Sequence, residues 1–169
     1  APRGRKKPFL TAVLLDARGR VAGRYRKVHL PQFPLARERE LFSAGREGFR
    51  VLCAGGLQLG VLLCYDRHFP EAVRALALGG AEAVLIPSAT PVAAAGSWLF
   101  ELEALAFTNG CYVLAANRSG SEGELRFLGE SCAVSPAGEM LARAGAGAEM
   151  LFVDIAPAAV AASVARRAY

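Results

Sequence analysis

The first thirty residues carry short apolar runs broken by isolated basic positions. Phe9 to Asp16 (FLTAVLLD) is apolar with a β-branched content, Ala17-Arg18-Gly19-Arg20 reads as a turn, and Val21 to His29 resumes an alternating pattern. This is a strand–turn–strand signal, with Gly19 supplying the turn. Pro31 and Pro34 interrupt any regular element, so residues 31–48 read as a long polar loop with room for one helical turn. Loops of that length inside a folded unit are often functional.

From residue 49 strands and helices alternate. Leu59 to Cys64 (LGVLLC) is wholly apolar, the pattern of a strand covered on both faces. Pro70-Glu71 opens a helix whose apolar stripe is Val73, Leu76 and Ala77, and Gly79-Gly80 closes it. Ala83 to Pro87 is the next strand. Ser97 to Thr108 predicts a helix with Ser97 as N-cap and Trp98, Leu102, Leu105 and Ala106 turned inward. Cys111 to Ala116 is a further strand. Phe127 to Glu139 and Glu149 to Ile155 predict a closing antiparallel pair, with Pro136-Ala137-Gly138 as one turn. The Ala-rich residues 158–169 are a candidate helix or tail. Strands alternating with covering helices, plus antiparallel strands at both ends, define an α/β fold in one domain, 1–169.

Composition narrows the function classes. With 53% hydrophobic and 21% charged residues the chain suits a folded globular protein. No apolar run approaches the roughly 18 residues of a membrane helix, and the basic start APRGRKKPFL lacks the apolar core of a signal peptide. Cys53, Cys64, Cys111 and Cys132 show no C-x-x-C or Cys/His spacing, so reduced thiols, a cytoplasmic setting and no metal site are expected. The net charge of +5 is uneven: residues 1–30 carry +8 and the remainder −3. Because the basic residues alternate with apolar ones along strands, without stacking aromatics, a solvated strand face is expected and nucleic acid is not.

Chemistry concentrates in LLCYDRHFPE. Cys64 stands where an apolar strand ends and a helix is about to begin, the position at which α/β folds open onto a crevice. Arg67 and His68 follow it, and cationic neighbours are the setting of nucleophilic cysteines. A second polar cluster, YRKVHLP, places Lys27 where a strand enters the long loop. On spacing alone Lys27 is either an oxyanion stabiliser or one more solvated lysine, and Glu38, Glu40 and Glu47 are loop acids.

The blocks YRKVHLP and LLCYDRHFPEAVRALALGGAEAVLIPSAT, in this order and at this distance, resemble the nitrilase, or carbon–nitrogen hydrolase, superfamily, over Phe9 to Pro157. The resemblance implies an α-β-β-α sandwich and catalysis by Glu, Lys and Cys without a cofactor. It assigns Cys64 as nucleophile, Lys27 as the family lysine and Glu38 as the assisting glutamate, with Glu40 as the alternative register. The backbone N–H of Tyr65 would join Lys27 as an oxyanion donor. The Arg67-His68 pair resembles the beta-ureidopropionase and N-carbamoyl amino acid amidohydrolase branch. It implies that Arg67, with His68, holds a substrate carboxylate through a bidentate fork. A small amide or ureido substrate and a homo-oligomer are expected. The family's general-base glutamate belongs upstream of Lys27, where only Asp16 is acidic. The chain thus reads as a C-terminal portion of the domain, incomplete at its N-terminus, inactive alone, with unpaired apolar strand edges.

Overall fold

The computed structural model describes residues 7–34 and 36–166; the basic residues Arg3, Arg5 and Lys6 and the last three residues of the expected tail lie outside them. In chain order the elements are β1 (Thr11–Leu15), β2 (Val21–Arg26), β3 (Gln32–Phe33), β4 (Ala36–Arg37), α1 (Glu38–Leu41), β5 (Leu52–Ala54) and β6 (Leu57–Val61). A 3-10 turn at Cys64–His68 leads into α2 (Pro70–Leu78) and β7 (Ala83–Ser88). A second 3-10 turn leads into α3 (Ala95–Asn109), followed by β8 (Tyr112–Asn117), β9 (Ser121–Glu122), β10 (Leu125–Arg126), β11 (Cys132–Val134), β12 (Met140–Arg143) and α4 (Pro157–Arg166).

The central sheet runs β12-β11-β8-β7-β6-β5. Its middle strands β6, β7 and β8 are parallel, with Leu59, Gly60 and Val61 opposite Ala83, Val84 and Leu85. The flanking strands are antiparallel. Parallel neighbours need a crossover, and α2 and α3 provide the two. On the helix side Val73, Leu76, Trp98 and Leu102 are fully buried against Val84, Ile86 and Val113. Each such side chain contributes roughly 1.5–3 kcal/mol. The other face is covered more thinly, by Leu14 of β1 and by Ile155, Ala159 and Val160 beside and within α4. The β1–β2 hairpin is a separate two-stranded sheet, and its Val13, Leu15 and Val21 are more than half exposed. Among the described residues no helix is long and apolar enough to cross a membrane.

The structure departs from the sequence reading in four places. The strand β5 was not expected; Gly55-Gly56, both with positive φ (61° and 80°), turn it directly into β6. A Gly-Gly pair between apolar runs is a tight-hairpin signal. The partner of β11 is β12, Met140–Arg143, and Glu149–Ile155 forms no strand. Pro136-Ala137-Gly138 reverses the chain at once, with Ser135 N–H bonded to the Glu139 carbonyl (2.9 Å), so the next residues take the pairing. Helix α3 begins two residues before Ser97, whose hydroxyl turns back to the Ala94 carbonyl instead of capping. Finally, the strand expected over Leu59 to Cys64 ends at Val61, and Cys64 heads a 3-10 turn before the α-helix opens at Pro70 as expected.

Candidate active site

The carboxyl ends of the parallel strands converge on one cavity of about 360 Å³. Cys64 lies just beyond β6 and Thr90 just beyond β7, while Lys27 directly follows β2. All six sequence-predicted site residues, Lys27, Glu38, Cys64, Tyr65, Arg67 and His68, line it, together with Thr90 and the apolar Phe33 and Leu125. This is the crevice position that open parallel sheets use for ligands.

Cys64 is held in an unusual conformation. Its φ of 48° lies in the left-handed region, which for a residue with a Cβ costs on the order of 1–3 kcal/mol. Two features hold the turn. Leu62 N–H extends the parallel pairing by bonding the Leu85 carbonyl at 3.0 Å, and Arg67 Nη1 donates to the Cys64 carbonyl at 3.1 Å. The same Nη1 lies 3.9 Å from Cys64 Sγ.

Lys27 is only 3% exposed, so its ammonium needs a counter-charge. Glu38 supplies it from the one-turn helix α1. Lys27 Nζ sits 2.8 Å from Oε1 and 2.7 Å from Oε2. The first contact has hydrogen-bond geometry; the second is ionic without it, so Oε2 is buried with no hydrogen-bond partner. Glu40 faces elsewhere, accepting from Gln32 Nε2 at 2.9 Å. Of the two registers for the loop glutamate, the fold brings Glu38 to Lys27.

Arg67, expected to hold a substrate carboxylate, is engaged within the protein. Arg67 is 2% exposed and stacks over Trp98 at 4.8 Å. Its Nε donates to Glu101 Oε2 at 2.9 Å, with Nη1 on the Cys64 carbonyl. A buried guanidinium is stable only when paired, and Glu101 on α3 supplies the counter-charge through Nε. His68 Nδ1 meets the other oxygen of Glu101 at 2.7 Å, and His68 is the more exposed of the two. Tyr65 packs its ring against Phe33, His68 and Phe69.

Asp66 was passed over in the sequence reading, and it organises the site from behind. It is fully buried, and its carboxylate accepts from Tyr25 Oη (2.8 Å), His29 N–H (2.8 Å) and Leu63 N–H (3.1 Å), with His29 Nδ1 at 3.0 Å. Tyr25 and His29 stand two residues either side of Lys27, so one carboxylate ties the lysine segment to the cysteine turn. Burial first, and then the Asp66 charge, push the Tyr25 hydroxyl far above its ordinary value, so it stays a donor. The signal available in the sequence was an acid inside an apolar block. Asn117 is structural: its Oδ1 accepts Thr90 N–H (2.8 Å) and its Nδ2 donates to the Gly129 carbonyl (2.7 Å). Arg118 pairs with Glu122 and stacks on Phe127. Asp16 lies in the turn of the β1–β2 hairpin, bonded to Arg18 and Arg20. The Arg20 backbone N–H, then its guanidinium, hold the Asp16 carboxyl below the usual range.

A mixed α/β sheet with parallel central strands thus sets a cysteine of left-handed φ beside a buried lysine–glutamate pair. Residues 2–164 match the carbon–nitrogen hydrolase family, and the chain belongs to that family, within the nitrilase superfamily. It is 34% identical over 160 residues to an N-carbamoylputrescine amidase of Solanum lycopersicum, covering 86% of this chain and 53% of that protein. The fold matches a carbon–nitrogen hydrolase from Helicobacter pylori G27 with a TM-score of 0.90 and 30% identity, over 95% of this chain and 60% of that one. It also matches an amidase from Nesterenkonia sp. AN1 (TM-score 0.83, 38% identity, 98% and 64% coverage). That structure is of a glutamate-to-glutamine variant with the acetamide moiety of fluoroacetamide added covalently at its active-site cysteine. The chain spans about half the length of the curated relatives it matches.

Proposed function

We propose that Cys64 is the nucleophile of an amidohydrolase acting on a small primary amide or ureido compound. The convergence of Cys64 with the buried Lys27–Glu38 pair in one cavity carries this reading. Sγ attacks the carbonyl carbon, an S–C bond forms, and negative charge moves to oxygen, where Lys27 Nζ and the Tyr65 backbone N–H stabilise it. Loss of one such donor typically costs about 2.7–4 kcal/mol of transition-state stabilisation. Collapse breaks the C–N bond and releases ammonia, which takes up the proton. Water then cleaves the thioester; a ureido substrate yields an amine and CO2 by this route. Both steps need a general base. Asp16 lies at the hairpin turn with its carboxylate engaged, so the base of the whole enzyme is a carboxylate other than Asp16, as the family resemblance implies.

The N-carbamoyl amino acid reading is the second one. Similarity to N-carbamoylputrescine amidases supports the ureido group, whereas Arg67 already pairs with Glu101 through Nε, which leaves the acid end its remaining N–H groups and His68 at the rim. Intact-mass and peptide mapping after brief fluoroacetamide treatment test the nucleophile. Cys64 should be alkylated at least ten-fold faster than the exposed Cys53, and Lys27→Ala should remove the preference. Equal labelling of the two cysteines would overturn the reading. Ammonia release from butyramide and from N-carbamoyl-β-alanine, in wild type and Cys64→Ala, separates the two substrate readings.

A further inference from the structure

Arg67 is the largest buried charged side chain among the described residues. Taking a guanidinium out of water costs several kcal/mol before any partner is counted, so its place beside the cysteine turn needs a reason. Its guanidinium is gripped from three sides. Nε donates to Glu101 Oε2 at 2.9 Å, the plane stacks on the Trp98 ring at 4.8 Å, and Nη1 donates to the Cys64 carbonyl at 3.1 Å. The two outer grips come from α3 and are themselves fixed. Trp98 is fully buried, with Nε1 donating to the Glu130 carbonyl at 2.9 Å, and the second oxygen of Glu101 meets His68 Nδ1 at 2.7 Å. Glu101 does not line the cavity of Cys64, so it reaches that cavity only through Arg67 and His68.

We propose that Arg67, backed by Glu101 and Trp98, is a positioning residue for Cys64, and that its guanidinium serves the nucleophile instead of the acid end of a substrate. The proposal rests on Cys64 being the nucleophile and deepens that reading. A left-handed φ of 48° in a residue with a Cβ persists only where the surroundings over-determine it. The carbonyl and the Cβ leave the same Cα, so a carbonyl held by a fixed donor constrains the direction in which the sulfur leaves the turn. The nitrogen that holds the carbonyl lies 3.9 Å from Sγ, and a cation beside a sulfur is the setting of nucleophilic thiols. A lysine could not replace it. The planar guanidinium reaches Glu101 and Cys64 with two different nitrogens at once, whereas an ammonium has one.

The test times alkylation of Cys64 by neutral iodoacetamide and by anionic iodoacetate, each relative to the exposed Cys53 of the same chain. The double substitution Arg67→Met/Glu101→Leu removes the pair at constant net charge and similar volume. Such exchanges are often neutral or stabilising, so the melting temperature should hold. Cys64 should then react about ten-fold more slowly with both reagents, by the same factor, while Cys53 is unmoved. Arg67→Lys keeps the charge without the double grip and should slow both reagents as well. Unchanged Cys64 rates in the folded double variant overturn the proposal. So does a slowing confined to iodoacetate, which marks Arg67 as an anchor for a carboxylate. If the double variant fails to fold, Glu101→Asp is read in the same way, since it keeps the ion pair but draws the guanidinium toward α3. Wild-type Cys64 reacting no faster than Cys53 with either reagent would end the nucleophile reading itself, a result distinct from loss of the Arg67 effect.

Discussion

Removing the Asp66 carboxylate should unlock the cysteine turn from the lysine segment. In Asp66→Ala three donors lose their acceptor: the buried Tyr25 hydroxyl and the partly buried backbone N–H groups of His29 and Leu63. A stranded buried donor costs about 1–3 kcal/mol, and one such donor with two partly buried ones comes to about 4 kcal/mol. Against a typical total of about 5–15 kcal/mol, this brings the protein near its unfolding threshold. Asp66→Asn keeps one acceptor oxygen but turns its N–H2 toward either the Tyr25 hydroxyl and Leu63 N–H or the His29 N–H; about 2 kcal/mol is expected. Urea denaturation followed by circular dichroism measures the loss, and an unchanged slope shows that stability alone has moved. A cycle with Tyr25→Phe isolates the direct bond, and a coupling above about 1 kcal/mol is expected for partners in contact. Native-state alkylation of Cys64 should slow in Asp66→Asn, because Tyr25 and His29 flank Lys27. The reasoning fails if Asp66→Ala lies within about 0.5 kcal/mol of wild type, or if Tyr25→Phe and Asp66→Asn simply add.

Glu101→Gln leaves the buried Arg67 guanidinium without its counter-ion; a loss of about 3 kcal/mol is expected in thermal melts, and an unchanged melt would show that Trp98 and the Cys64 carbonyl suffice. Gly45→Ala places a Cβ 2.3 Å from the Arg26 carbonyl oxygen, backbone that cannot yield. It should cost more than about 2 kcal/mol and, by displacing the segment that carries Lys27, slow Cys64 alkylation. Burial pushes the Cys132 thiol from 9.0 up to about 11, with Arg143 opposing. The folded protein keeps this proton where the unfolded chain has lost it, so stability is full below pH 9 and falls as pH rises to about 11. The loss is about 3 kcal/mol, and Cys132→Ala should show the shallower decline in pH-dependent denaturation.

What the sequence made legible follows from the range of each signal. Helix α2 was readable because Pro70 and Gly79-Gly80 punctuate it and because Val73 and Leu76 share one face. Its neighbours β7 and β8 were readable as short apolar runs. Local punctuation also placed the β1–β2 turn at Gly19, whose φ is +73°. The errors came where pairing depends on competition between segments: nothing local shows that Met140–Arg143 reaches β11 before Glu149–Ile155 can. At the site, the family resemblance brought forward six of the residues that line the cavity. It could not show that Glu101, thirty-four residues on, pairs with Arg67 Nε, nor that Asp66 faces inward while its neighbours face the cavity. Those facts belong to the packing of α3 and β2 against the cysteine turn, which a linear motif does not encode.

The distribution of buried polarity argues that this corner of the fold is kept for chemistry, because it costs stability. Among the described residues the buried polar side chains are Lys27, Asp66, Arg67, Thr90, Asn109 and Ser135. Two are local: Asn109 bonds the Leu105 carbonyl at the end of α3, and Ser135 accepts Ala137 and Glu139 N–H in a hairpin turn. The other four come from β2, the cysteine turn and the β7 end, and all lie on or directly behind one cavity. Beside them Cys64 holds a left-handed φ. Each charged member is matched by a partner on a different element, Lys27 by Glu38, Arg67 by Glu101, Asp66 by Tyr25 and His29. Replacing such pairs with apolar residues of similar volume is often neutral or stabilising, so stability alone does not account for their concentration here. Places where a fold departs from local consistency in several ways at once are where function is expected.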